Sequence, residues 1–182
     1  YGEYRESVDI DFLVSDVASY RSLRQLLTGL DGFAGLLRTG AEPVLASREL
    51  RADQYGLRTV LQVADLPIKF EIVLEGRITL EAPAAGDVVC GIATLTPLDM
   101  ATSKLLANSD RWGDDGVFSR DVIDLAMMRP ALKLLRKAVT KAEAAYGASI
   151  CRDLDRAIDK LQHRHGWLEH CMQAMAMSMP KA

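Results

Sequence analysis

Two aspartates, Asp9 and Asp11, interrupt an apolar alternation in the stretch ESVDIDFLVSD, residues 6–16. In an extended chain, residues i and i+2 point to the same face. The two carboxylates therefore stand side by side, roughly 7 Å apart or less, while Val8, Ile10 and Phe12 face the other way. Like charges at that separation repel when water is withdrawn. A divalent cation removes the repulsion, and Mg²⁺ is commonly held by one or two carboxylates together with substrate phosphates. The plain alternative is a solvent-facing edge strand whose charges do nothing. Glu71 repeats the pattern, a lone carboxylate between Phe70 and Ile72 in IKFEIVL. A strand laid beside the first would bring it to the same face. Three converging carboxylates suit a two-metal phosphoryl or nucleotidyl transfer site. Lys69 lies on that side too, so an ordinary ion pair competes for Glu71.

Cations follow. Lys104 and Arg111 in KLLANSDR are seven residues apart, two turns along one helix face, and could offer two positive charges to a triphosphate. Asp121 and Asp124 share a face of the next helix at i, i+3. A set of salt bridges between surface helices would use the same four residues without chemistry.

These side chains need elements to carry them. VDIDFLV (8–14) alternates and reads as a strand. Ser15 is the expected cap of a helix over 16–30, whose apolar face is Val17, Tyr20, Leu23, Leu27 and Leu30. Residues 31–43 form a Gly-rich connection with a short helical turn. LRTVLQVA (57–64) and IKFEIVL (68–74) read as an antiparallel hairpin joined by DLP. RITLEAP (77–83) is expected as a further edge strand, AAGD as a loop and 88–96 as a short strand leading to a turn. Thr96-Pro97-Leu98-Asp99 has a cap, a proline at the first helical position and an acid in the first turn. From there the pattern is helical: 97–109, 117–129, 131–146, 149–164 and 167–178, punctuated by Pro130, Gly147 and Gly166. The expected class is α+β: a small mixed or antiparallel sheet with flanking helices over residues 1–96, then a helical C-terminal part over 97–182.

Composition sets limits. The chain has 182 residues, 49% hydrophobic and 26% charged, which is ordinary for a folded domain. A net charge of −3 gives no broad basic field, so charge alone does not predict non-specific nucleic-acid binding, although a local basic groove stays open. No apolar run approaches the roughly 18 residues that cross a bilayer, and no secretory signal precedes the first strand. Cys90, Cys151 and Cys171 are odd in number and far apart, which argues against a disulfide framework. A soluble, cytoplasmic protein is expected, without a membrane partner. The chain opens on Tyr1 rather than Met, so either residues upstream are missing or the chain was cut.

Four further signals carry less. His163, His165, His170 and Cys171 do not share a helix face, and Gly166 interrupts them, so a solvated helix end outweighs zinc. Met172, Met175, Met177 and Met179 read as core packing, with a partner interface as the minority reading. Lys133, Arg136, Lys137 and Lys141 read as a solvated face, with RNA-backbone contact as the alternative. Asp114 and Asp115 in WGDDG read as solvated loop residues.

Taken in order, YRESVDIDFLVSD, IKFEIV and TPLDMATSKLLANSDR…SRDVIDL resemble the AbiEii-type nucleotidyltransferases of the DNA polymerase β superfamily, many of which are toxins of toxin–antitoxin or abortive-infection systems. The resemblance spans about residues 4–128. It matches an Arg and a Ser before the D-x-D (Arg5, Ser7), a later strand carboxylate (Glu71), a Lys with an Arg seven on (Lys104, Arg111) and a closing Asp-x-x-Asp (Asp121, Asp124). It implies Mg²⁺ at Asp9, Asp11 and Glu71, with Glu71 also helping to activate an acceptor hydroxyl. Lys104, supported by Arg111, would neutralise a nucleoside triphosphate, with Arg5 and Ser7 also at the substrate. Asp121 stands for the family's late acidic residue, and Asp124 is expected to be structural.

The implied activity is transfer of a nucleoside monophosphate to tRNA, another RNA or a protein, by a toxin-type enzyme with a cognate antitoxin. The family's Gly-Gly or Gly-Ser phosphate loop should precede the D-x-D. It does not stand in residues 1–8, and Gly29, Gly32 and Gly35 come too late. The expectation is therefore a fragment of a longer enzyme or a relative that no longer transfers. The rivals are a transferase acting on a small molecule such as an antibiotic, and a catalytically silent relative that acts by binding a partner.

Overall fold

A hairpin lies at the centre of the sheet. The structure, a computed structural model, describes residues 4–7, 9–63 and 65–178. Strand β4 (Gly56–Val63) pairs antiparallel with β5 (Leu66–Leu74), as the two β-branched runs predict. Leu66 and Pro67 belong to the strand, and Asp65 makes the turn in a left-handed conformation, φ 65°. Strand β1 (Asp9–Val14) lies parallel to β5 on the other side; Val8, expected in this strand, falls outside the described residues. Two short strands not expected from the sequence, β2 (Leu45–Ala46) and β3 (Arg51–Ala52), pair with β4 and complete a mixed sheet.

Alternation decides which face is covered. Phe12, Val14, Leu57, Leu61, Phe70, Ile72 and Leu74 form a core with Tyr20, Leu23 and Leu27 of helix α1 (Val17–Thr28) and with Phe33 of a 3-10 turn over Gly32–Leu36. Asp16, not Ser15, caps α1, its carboxylate accepting the Ser19 N–H at 2.7 Å. The buried Tyr20 donates its hydroxyl to the Asp53 carbonyl at 2.6 Å. Gly56 lets β4 approach β5 closely, since a Cβ there would sit 2.8 Å from the Ile72 carbonyl oxygen.

No strand forms over 77–83. Two of the backbone donors there go to side chains instead. Glu75, buried at the end of β5, accepts from the Arg77 backbone N–H at 3.0 Å and from its guanidinium at 2.6 and 2.8 Å. The Glu81 N–H donates to the Asp99 carboxylate at 2.6 Å. The expected strand over 88–96 is a small hairpin, β6 (Val88–Val89) against β7 (Ile92–Ala93), because Cys90 and Gly91 both turn left-handed, φ 52° and 77°.

The chain divides into two compact units, Ser7–Thr79 around this sheet, and the N-terminal residues to Glu6 together with Leu80 onward. The second is helical: α2 (Pro97–Arg111), α3 (Arg120–Met127), α4 (Leu132–Tyr146), α5 (Ser149–His163) and α6 (Trp167–Ala174). Together the two units are α+β with a helical C-terminal part. The Thr96 hydroxyl caps α2 by accepting the Asp99 N–H at 3.2 Å, as expected. Helix α2 packs against α3, α4 and α5, burying Ala101, Leu105 and Leu106 against small residues such as Ala138, Ala142 and Ala157.

Helix α3 begins three residues later than expected, because Phe118 and Ser119 are both left-handed, φ 53° and 50°. The Trp167 indole N–H, donating to the Ser119 hydroxyl at 2.9 Å, braces that turn. Met175 packs with Ile123, Trp167 and Cys171, which agrees with core packing at that methionine; Met179 lies outside the described residues. The N-terminal segment belongs to this unit. Glu6 N–H bonds the Met175 carbonyl at 3.2 Å, and Ser178 N–H bonds that of Tyr4 at 3.1 Å. Among the described residues no helix is long and apolar enough to cross a membrane.

Candidate functional site

The predicted site residues fall into two groups, one in each unit. In the sheet unit, the parallel register sets Asp9 level with Lys69 and Asp11 level with Glu71. Level partners on neighbouring strands point to the same side of a sheet. Asp9, Asp11, Lys69 and Glu71 therefore share one face, and the core residues Phe12, Phe70 and Ile72 occupy the other. Arg58 of β4 is level with Glu71 and joins the same face.

Glu71 is engaged by cations, its Oε1 lying 3.1 Å from Lys69 Nζ and 3.4 Å from Arg58 Nε. The donor set has the right chemistry for a hard divalent ion, carboxylate oxygens on adjacent same-face positions. Glu71 would have to exchange its cations to take that role. Among the described residues no group of three or more His, Cys, Asp or Glu is placed to hold a metal ion.

In the helical unit, Asp124 gathers three partners. Arg5 donates through Nε at 2.7 Å and Nη2 at 2.9 Å, Lys104 through Nζ at 2.6 Å, and Tyr4 through its hydroxyl at 2.7 Å. The Asp124 side chain is only 4% exposed. Burial alone would raise its pKa, but the Arg5 hydrogen bonds and the Lys104 charge outweigh it and hold the carboxyl at about 2. The Tyr4 hydroxyl is pushed up to about 12, by burial first and then by its bond to this carboxylate.

One turn earlier on α3, Asp121 is buried and takes a bidentate pair from Arg111, Nε at 2.7 Å and Nη2 at 2.8 Å. The i, i+3 spacing of the aspartates and the i, i+7 spacing of the cations thus match residue for residue. The salt-bridge set between these helices is therefore formed by the four residues, with the aspartates buried and the cations partly exposed.

Sequence reasoning missed Tyr4 and the partnership of Asp99 with Lys141. Asp99 is fully buried and holds Lys141 Nζ in a short ion pair. Lys141 is therefore no part of a solvated basic face. A signal existed: Asp99, Thr102 and Leu106 recur at helical spacing on the buried side of α2. Asp115 is likewise not merely solvated, since it pairs with Lys160 at 2.8 Å and Arg164 at 2.7 Å, while Asp114 accepts the Gly116 N–H at 2.8 Å. A cleft of about 720 Å³ beside these residues is lined by Trp112, Asp115, Arg156, Lys160 and Arg164 and holds none of the predicted site residues. His163 pairs with Asp159 at 2.9 Å, and His170 lies between the Phe118 and Trp167 rings.

A family described as nucleotidyl transferase AbiEii toxin, type IV TA system, matches residues 1–180. The chain belongs to this family. AbiEii proteins of this description are nucleotidyl transferase toxins of type IV toxin–antitoxin systems. No curated protein and no solved structure matches the chain.

Proposed function

We propose that this AbiEii protein transfers a nucleoside monophosphate from an NTP to a hydroxyl of an acceptor, an RNA or a protein. The bond from the α-phosphorus to the pyrophosphate oxygen breaks, and a bond to the acceptor oxygen forms. Pyrophosphate leaves, and the hydroxyl proton is released. Mg²⁺ is the proposed cofactor. It would be held by Asp9 and Asp11, with Glu71 completing the set, and would supply charge neutralisation at the phosphates. Lys104 and Arg111 would face the triphosphate, with Arg5 and Ser7 also at the substrate. Most of the acceleration would come from positioning and electrostatics.

The observation that carries this reading is the parallel register of β1 and β5. It sets two aspartates and a glutamate on the sheet face opposite the core, in a chain of a nucleotidyl transferase family. A covered core cannot use those carboxylates, and an uncommitted surface gives no reason to cluster them.

A second reading, a silent relative acting by partner binding, draws on one observation. Glu71, Arg5, Lys104 and Arg111 are all held by protein partners in this arrangement.

One experiment separates the two. The protein is incubated with each α-labelled NTP, Mg²⁺ and total RNA or lysate, beside an Asp9→Asn/Asp11→Asn variant. Label in RNA or protein that requires both aspartates supports the transferase. No label with any NTP, together with no Mg²⁺-dependent nucleotide binding, leaves the partner-binding reading.

A further inference from the structure

Within the helical unit, four cations are paired with buried acids: Arg5 and Lys104 with Asp124, Arg111 with Asp121, Lys141 with Asp99. A cluster between them is not. Arg129, Lys133, Arg136 and Lys137 are exposed, and among the described residues none of them has a carboxylate partner. The sequence offers them none nearby, since no Asp or Glu occurs from Leu125 to Ala142.

Lys133, Arg136 and Lys137 stand at i, i+3 and i+4 and so project from one face of α4. That face continues through Thr140, while the opposite face is buried at Ala138 and Ala142 against the rest of the unit. The start of α4 has neither a side-chain cap nor an acid in its first turn, so the positive end of the helix dipole adds to the same field. All of this sits on a chain of net charge −3.

We infer that this face of α4 binds the phosphate backbone of RNA. The inference rests on the proposed transfer only in naming that RNA as the acceptor. Lys and Arg side chains suffice to bind backbone phosphates, through charge neutralisation and counterion release. A protein partner would instead require an apolar centre, and lysine is depleted in protein interfaces. Leu132, at the very start of α4, is the one large apolar side chain exposed on this helix among the described residues.

The test is direct binding of fluorescein-labelled tRNA to the full chain, without NTP, across about 50 to 200 mM salt. Lys133→Glu/Lys137→Glu is compared with Arg21→Glu/Arg24→Glu, which makes the same change in net charge at exposed positions of α1. Lys133→Ala/Lys137→Ala serves should the reversal disturb folding, as judged by circular dichroism. The α4 reversal should weaken binding about tenfold or more and lower the slope of log affinity against log salt by roughly 1.5, at about 0.7 to 0.9 per phosphate lost. The α1 variant should change affinity by less than about threefold.

Equal losses in both variants, or no binding by the unmodified chain, would overturn the inference. So would poly-glutamate binding as tightly as tRNA and being lost with the same α4 variant, which would point to an acidic protein instead. An unmodified chain that binds tRNA through this face yet transfers no label with any NTP would count against the proposed reaction and leave the surface standing.

Discussion

Arg5 and Asp124 lie 119 residues apart in sequence and meet through two hydrogen bonds, of 2.7 and 2.9 Å. Lys104 and Tyr4 close on the same carboxylate at 2.6 and 2.7 Å. One buried anion thus ties the N-terminal segment, α2 and α3 together. Three residues after Glu6 the chain enters β1, which carries Asp9 and Asp11.

The depressed pKa of Asp124 predicts an acid-labile helical unit. Its folded value, about 2, lies below the ordinary 3.8. Its contribution is therefore present above pH 4 and is lost as pH falls through 4 toward 2, about 2 kcal/mol in all. Asp124→Asn should lower stability at pH 7 by about 2 to 3 kcal/mol, leaving two cations without their anion. It should also flatten the acid limb. Urea unfolding between pH 2 and 7 checks both; an Asn variant with the same acid slope as the unmodified protein would exclude this carboxylate as the cause.

Asp9→Asn should behave in the opposite way. Asp9 is not buried, and removing one of two adjacent like charges relieves repulsion. The thermal midpoint should stay level or rise slightly, within about 0.5 kcal/mol. Label transfer should fall by at least about a hundredfold, the scale of losing an electrostatic group in a transfer site. A large loss of stability with transfer retained would make this residue structural.

Lys69 should compete with a metal for Glu71. Lys69 Nζ lies 3.1 Å from Glu71 Oε1 and is half exposed. Removing one such charge next to a bound cation, at about 1 kcal/mol, should tighten Mn²⁺ binding roughly fivefold in Lys69→Met. Electron paramagnetic resonance of free Mn²⁺ measures this. Unchanged affinity in Lys69→Met, with affinity lost in Asp9→Asn, would restrict the metal to the aspartates.

Asp99 and Lys141 should prove unequal. Asp99 is fully buried and also takes the Glu81 N–H, whereas Lys141 reaches partly to solvent. Asp99→Ala should cost about 3 to 5 kcal/mol, and Lys141→Met less, because methionine keeps the apolar stem while the carboxylate keeps the Glu81 N–H donor. Chemical denaturation of the two single variants and the double variant gives the coupling between them.

Where one residue's type and spacing decided the outcome, sequence reading held. The β4–β5 hairpin follows from β-branched runs, and the start of α2 follows from Thr96 and Pro97. Over the expected strand 77–83, Glu75 and Asp99 capture the Arg77 and Glu81 N–H groups, which no local propensity encodes. The late start of α3 is similar, at two left-handed residues braced by Trp167 from far along the chain.

For the candidate site the division is sharper. Alternation in DIDFLV by itself determined that Asp9 and Asp11 share a face and that Phe12 shares the other, since side-chain direction in a strand has a period of two. Helical spacing likewise determined that Lys104 and Arg111 fall on one face, and Asp121 and Asp124 on another. Only the tertiary structure decided which strand would stand beside β1, and hence that Glu71 is level with Asp11 yet held by Lys69 and Arg58. Only it could pair Arg5 with Asp124. A carboxylate's partner is set by which distant cation packing brings within about 3 Å, and spacing along one element carries no information about that distance.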